Sequence, residues 1–260
     1  MCLAGCEFTL TRQLSLQRAE AAAITEITLI PGSGDVTIRT GDISTVQVNA
    51  KVHYRGEAPD VVHRVDGTTL ILYVDCGRRC SASFDVLAPT GVAVRGENGA
   101  GDVSLTGVST VDLTLGSGSI SIGRASGPVT AETMSGDIKV TDLDGPARVR
   151  TASGDIRLIR LAGPVSAQTT SGDISGTALR GGEVTARTES GDITLSLDNP
   201  SNVRATTTSG SVTLTVPDRS YQIHTATHTG EIEIGVRDEP GALHRLDLRT
   251  ASGDITVRAR

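Results

Sequence analysis

A column of carboxylates in this sequence invites a chemical reading. Asp102, Asp137, Asp155, Asp173, Asp192, Glu231 and Asp254 each follow a glycine, and most stand in the tetrapeptide SGDI. Calcium takes six to eight oxygen ligands, so carboxylates from successive repeats could form a ladder of ligands. The calcium β-roll, however, repeats every nine residues and places its Asp two before the apolar residue; here Asp directly precedes Ile, once per 18 or so residues. The same column also carries Ser119 and Ser211, which a uniform ligand ladder would tolerate poorly. Turn chemistry accounts for both residue types. Gly adopts φ > 0 at no steric cost, and a neighbouring Ser or Asp can hydrogen-bond nearby backbone N–H groups. The column is therefore read as structural, with calcium as the competing assignment, and no metal or cofactor is expected.

Other chemistry-bearing residues are sparse. Cys2 and Cys6 lie in MCLAGC, and Cys76 and Cys80 in CGRRC. Two C-x3-C pairs are a poor match to a structural zinc site, and a local Cys76–Cys80 disulfide, formed in an oxidising compartment, is the preferred reading. Leu3 to Cys6 reads LAGC, the pattern of a lipobox with Cys6 as the lipidated residue. Such a signal also needs a basic and an apolar stretch before it, so this reading expects coding sequence upstream of Met1; without a true lipobox the protein would be cytoplasmic. The five histidines, His53, His63, His224, His228 and His244, share no coil position. There is no nucleophile elbow, phosphate loop or HExxH. No catalytic residue is assigned, and the protein is read as not an enzyme.

The glycines show what must position these residues. Turn glycines fall at Gly101, Gly118, Gly136, Gly154, Gly172, Gly191, Gly210, Gly230 and Gly253, in steps of 17 to 23 residues, with an isolated earlier copy at Gly34. Apolar residues alternate with polar ones on both sides. Val129, Ala131 and Thr133 precede Gly136; Ile138 and Val140 follow it; the pattern recurs in the next repeats. Period-two alternation around a tight turn reads as strand, turn, strand. Such a unit cannot bury its own apolar edge and must stack on its neighbours. The predicted fold is all-β: a parallel β-solenoid, a right-handed β-helix by the usual hand of parallel crossovers, with coils of about 18–20 residues. At roughly 3.3 Å per residue the coil perimeter is at most about 60 Å, so the interior is thin. That agrees with 2% aromatic residues and no Trp among 260 residues.

Three segments are expected: 1–25, an N-terminal segment with the lipobox pattern and a linker; 26–90, irregular β coils forming an N-terminal cap; and 91–260, the regular solenoid. Leu16 to Ile24 has a short helical pattern, and Val65 to Thr69 reads as an Asp-Gly hairpin turn. The longer late steps read as loop growth at VPDRSYQ and RDEPGALH, and Arg258 and Arg260 as charges guarding an uncapped C-terminal edge. The net charge of -6 gives no basic footprint for nucleic acid, and no apolar run approaches transmembrane length.

The serial SGDI and SGDV units, the C...C pair followed by FDVLAPTGVAV, and GSGDVTI near the start resemble a bacterial family of β-strand-repeat proteins. That family is described as a domain of unknown function with a proposed adhesin role. The resemblance covers Glu26 to Arg260. It implies a β-helical fold and a surface or envelope location, often with a lipoprotein anchor, and no established catalytic residues. The expected function is a non-catalytic, envelope-associated adhesin or binding scaffold on the extracellular face, lipid-anchored through Cys6, with a cell-surface, cell-wall or protein ligand. The alternatives are a membrane-associated accessory of an envelope stress or signalling system and, last, a glycan-active β-helix enzyme.

Overall fold

The computed structural model of the chain describes residues 11–21, 23–59, 62–75 and 79–260. Seven strands come first: β1 (Arg12–Glu20), β2 (Glu26–Ile30), β3 (Val36–Gly41), β4 (Val46–Tyr54), β5 (His63–Asp66), β6 (Thr69–Tyr73) and β7 (Cys80–Pro89). The regular body follows: β8 (Ala93–Ala100), β9 (Val103–Thr106), β10 (Val111–Ser117), β11 (Ile120–Gly123), β12 (Val129–Ser135), β13 (Ile138–Leu143) and β14 (Ala147–Ser153). It continues with β15 (Ile156–Leu161), β16 (Val165–Gln168), β17 (Ile174–Leu179), β18 (Val184–Arg187), β19 (Ile193–Leu197), β20 (Val203–Thr206) and β21 (Val212–Val216). The last five are β22 (Ser220–Ala226), β23 (Ile232–Ile234), β24 (Arg237–Asp238), β25 (Arg245–Arg249) and β26 (Ile255–Ala259).

These strands form two 13-stranded sheets. Sheet A runs β1-β4-β7-β3-β9-β11-β13-β15-β17-β19-β21-β26-β23, and sheet B runs β24-β22-β25-β20-β18-β16-β14-β12-β10-β8-β2-β6-β5. Each coil of the body gives one strand to each sheet, and like positions pair in parallel, as in Val129↔Ala147 and Ile138↔Ile156. The two sheets face one another across an aliphatic core, so the fold is the predicted all-β solenoid, flattened into two faces. Alternation decides what is buried. In β14, Ala147, Val149 and Thr151 point inward while Arg148 and Arg150 stand exposed. A further inward column, Leu143, Leu161, Leu179 and Leu197, fills one corner. Parallel stacking makes each mistake repeatable, because a side chain too large for one coil meets the same backbone above and below. Small and β-branched residues fit that constraint.

The ends depart from the predicted order. β2 and β3 pair with β8 and β9 of the body, while β6 and β7, later in sequence, lie outside them. β4 and β1 extend sheet A antiparallel beyond β7, and β5 extends sheet B antiparallel beyond β6, through the hairpin predicted at Val65 to Thr69. At the other end β25 and β26 insert between β20/β21 and β22/β23. The long steps at VPDRSYQ and RDEPGALH are thus not simple loop growth: they carry the chain past a coil that is filled later. Nor is β26 an edge. Arg260 donates its backbone N–H to Val216 O at 2.9 Å and pairs with Asp198. The C-terminal edge is β23 and β24, three and two residues long, beside Glu231, Glu233 and Glu239. Short, charged edges resist pairing with other chains. The helical pattern at Leu16 is overridden as well. β1 is a strand because Leu14 and Leu16 alternate onto the core while its backbone bonds β4.

Candidate functional site

The SGDI column comes together as a line along one edge of the solenoid. Each turn glycine has positive φ, +145° at Gly154, and a Cβ there would stand 2.2 Å from Gly136 O in the preceding coil. Glycine is needed twice over: for the backbone conformation and for the close approach of stacked turns. The aspartates then bond coil to coil. Asp137 Oδ1 accepts Asp155 N–H at 2.9 Å, Asp155 Oδ1 accepts Asp173 N–H at 2.9 Å, and Asp173 Oδ1 accepts Asp192 N–H at 2.8 Å. Asp192 serves Ser211, Asp35 serves Asp102, Asp102 serves Ser119, and Asp254 serves Glu231. Ser211 Oγ in turn accepts Asp254 N–H at 3.3 Å, so serine replaces aspartate in kind.

Threonine completes the turn. Thr151 Oγ1 donates to Gly136 O at 3.0 Å, and Thr133, Thr169, Thr188, Thr207, Thr227 and Thr250 make the same bond to the glycine carbonyl of the neighbouring coil. Apart from the half-buried Thr227, these threonines are buried. A buried carbonyl without a partner costs about 1–3 kcal/mol, so T-x-x-G-D satisfies the polar groups of the turns stacked on either side of it. Among the described residues no three His, Cys, Asp or Glu gather into a group able to hold a metal ion. Asp102, Asp137, Asp155, Asp173, Asp192, Glu231 and Asp254 lie in file, and each Asp of the file commits one oxygen to backbone. Cys6 and Cys76 lie outside the described residues, and Cys80 opens β7.

A second column, on the opposite side of the coil, escaped the repeat reading. Pro128, Pro146 and Pro164 follow Gly127, Gly145 and Gly163, and the dipeptide GP recurs every 18 residues. A Cβ on Gly163 would lie 2.3 Å from Gly145 O. Proline fits because its carbonyl alone joins the ladder, Pro146 O accepting Val129 N–H and Pro164 O accepting Ala147 N–H, both at 2.9 Å. The three rings line an open groove of about 350 Å³ that runs across the strands, walled by Thr130, Arg148, Ser166, Thr185 and, at one end, the carboxylate of Glu183.

Beside this groove lies the outer face of sheet B. Register stacks Arg150, Gln168, Arg187, Thr206 and Arg249 in one column and Arg148, Ser166, Thr185, Arg204 and Asp247 in the next. Asp247 is 5% exposed although its strand neighbours at either end are open, because arginines cover it. Arg249 Nε is 3.0 Å from Asp247 Oδ1, and Arg204 and Arg245 each approach Oδ2 to 3.8 Å. The same coils present hydroxyls on sheet A: Ser175, Thr194, Thr213 and Thr256.

A third corner holds backbone strain. Arg124, Asp142, Arg160 and Ala178 take φ of 54° to 57°, a conformation that costs an L residue roughly 1 kcal/mol or more. Arg160 clasps Asp142 with Nε at 2.6 Å and Nη2 at 2.9 Å. That hydrogen bond holds the Asp142 carboxyl below its ordinary 3.8, and Arg260 does the same to Asp198, with a smaller contribution from Arg180.

Parallel coils joined by glycine turns, with side chains held in register on two flat faces, define a β-solenoid repeat protein. The chain belongs to the Toastrack DUF4097 family, which matches residues 92–258. Among solved structures it is similar to a protein of Clostridium sporogenes ATCC 15579 named for a proposed role in cell adhesion, at 10% identity and TM-score 0.26, over 96% of this chain and 100% of that one. A protein of Bacteroides fragilis NCTC 9343, named for a proposed adhesin role, is similar at 14% identity and TM-score 0.40, over 94% and 97% of the two chains. No curated protein matches the chain.

Proposed function

We propose that the protein is a non-catalytic binding scaffold of the cell envelope, acting on the extracellular face and held to the membrane by a lipid on Cys6. The observation that carries this reading is the fixed register of side chains on two flat, polar faces, where chemistry is spread over a surface instead of gathered in a cleft. Strand pairing fixes every outward residue at a spacing of about 4.8 Å, which suits an extended partner. Cys80 is disulfide-bonded, which supports the local Cys76–Cys80 bridge and the oxidising compartment it requires. The site chemistry favours binding over turnover: the column acids serve backbone N–H groups, and the histidines stand apart.

The test is fractionation of cells expressing the protein from its native gene, with metabolic labelling by a fatty acid. The reading expects label at Cys6, loss of label in Cys6→Ser, and recovery in the envelope fraction. Unlabelled cytosolic protein would contradict it. Turnover in a polysaccharide hydrolysis screen would overturn the non-catalytic part.

A further inference from the structure

We infer that the outer face of sheet B, together with the proline groove beside it, is a track for a linear acidic polysaccharide lying along the solenoid axis. The inference rests on the surface-binding reading above and names the partner class. Its first support is charge. The strands β14, β16, β18, β20 and β25 are consecutive neighbours in sheet B and carry exposed Arg148, Arg150, Arg187, Arg204, Arg245 and Arg249. Three of these share the single buried carboxylate of Asp247. Arg148, Arg150 and Arg187 have no carboxylate partner among the described ion pairs. In a chain of net charge -6, this is a local reversal of sign.

The second support is spacing. Arg150, Arg187 and Arg249 occupy every second strand of one column, a repeat of roughly 10 Å over a track of about 20 Å. A polyuronate carries an acid on every sugar, and one sugar is as long as the ~4.8 Å between strands, so every second carboxylate meets an arginine. Between the arginines stand Ser166, Gln168, Thr185 and Thr206, whose hydroxyls and amide can hydrogen-bond sugar hydroxyls. The third support is the groove. Its stacked proline rings give an apolar floor that runs in the same direction as the arginine column, so a chain lying there meets both. Glu132 on β12, opposite Arg150, ends the track.

Two other polyanions fit less well. A single-stranded nucleic acid needs aromatic platforms for its bases, and the track has none. An anionic membrane surface favours faces that also insert large apolar side chains. Among the described residues the exposed large apolar side chains are Met134, Ile232 and Leu243, none of them between the arginines.

The experiment titrates the full chain with polygalacturonate, neutral dextran, a single-stranded oligonucleotide and phosphatidylglycerol vesicles, and repeats the titration with R148Q/R150Q/R187Q. A control, K139Q/R157Q, removes unpaired cations from sheet A. The expected result is salt-sensitive binding of polygalacturonate alone, weakened at least tenfold by the triple variant and unchanged by the control, with melting temperatures preserved. Absence of polygalacturonate binding, binding that the triple variant leaves intact, or equal binding of the oligonucleotide or the vesicles would overturn the inference. Isolated envelopes of the source organism separate the two readings. Retention on envelopes by both the native protein and the triple variant sinks the track and spares the scaffold, whereas no retention of the native protein sinks the scaffold.

Discussion

The middle and the ends of this solenoid solve the same problem differently. From β8 to β21 sequence order and spatial order agree, and each coil rests on the one before it. At both ends they part. The outer coil β6/β7 follows the inner coil β2/β3 in sequence, and the outer coil β22/β23 precedes the inner coil β25/β26. A solenoid that stopped at its last repeat would leave a free chain end on an open sheet edge, where fraying concentrates. Here the C-terminal strand is held between two neighbours, and the outermost coil is tied to the body by the chain both entering and leaving it. The difference teaches that the repeat specifies how a coil is built, while the ends specify where it is placed.

The comparison can be broken most forcefully at the turns. Gly154→Val sets a Cβ against Gly136 O with covalently continuous coils on both sides, and should cost about 4 kcal/mol or more, enough to prevent folding. Gly230→Val makes an equivalent clash, its Cβ 2.1 Å from Gly253 O, but in the outermost coil. That coil can peel away, so a folded protein with a locally exposed end is expected by circular dichroism and limited proteolysis. Equal damage from the two variants would mean that the end is as constrained as the middle.

Tyr221 sharpens the same point from the other side. It is fully buried in the outer coil, its hydroxyl donates to Pro217 O at 3.0 Å, and burial pushes its phenol above 10.0. Tyr221→Ala should destabilise by about 3–5 kcal/mol in chemical denaturation if the outer coil unfolds with the body. A separate early transition in the variant would show that it unfolds alone.

Within the middle, threonine and aspartate should differ. Thr151→Val strands the Gly136 carbonyl and should cost about 1–3 kcal/mol. Asp155→Ser, a choice the chain itself makes at Ser119 and Ser211, should cost less than about 1 kcal/mol. A reversal of that order in thermal melts would move the weight of the turn from the buried carbonyl to the exposed carboxylate.

The smallest effect is acid sensitivity at the strained corner. Asp142 and Asp198 titrate below their ordinary 3.8 because Arg160 and Arg260 bond them. Depressed carboxylates contribute stability that is present above about pH 4 and lost as pH falls through their folded-state values. Asp142→Asn and Asp198→Asn should each flatten the acid limb of melting temperature against pH, and added salt should blunt the difference.

Much of this was legible in the sequence, because local rules and the global fold agree in the middle coils. Ile138, Val140 and Ile156 alternate, Gly154 needs its conformation, and Ser211 standing for Asp already spoke for turn chemistry. The GP column was equally legible and was passed over because the SGD column is more frequent. The coil order at the ends was not legible: Gly230 and Gly253 look like successive repeats, and only packing decides which lies inside. The arginine column inherits that limit, since Arg249 neighbours Thr206 only after β25 has slipped under β22. The Ala-rich stretch after Leu16 misled because helix propensity is a weak prior against strand pairing.

Native-state hydrogen exchange tests the central claim, that the chain builds a continuous stack and closes its end out of sequence. Amides of β25 and β26 should exchange as slowly as those of β20 and β21, while β22 and β23, which precede them in the chain, exchange faster. Exchange fastest in β26, with β22 and β23 protected like the body, would contradict the account.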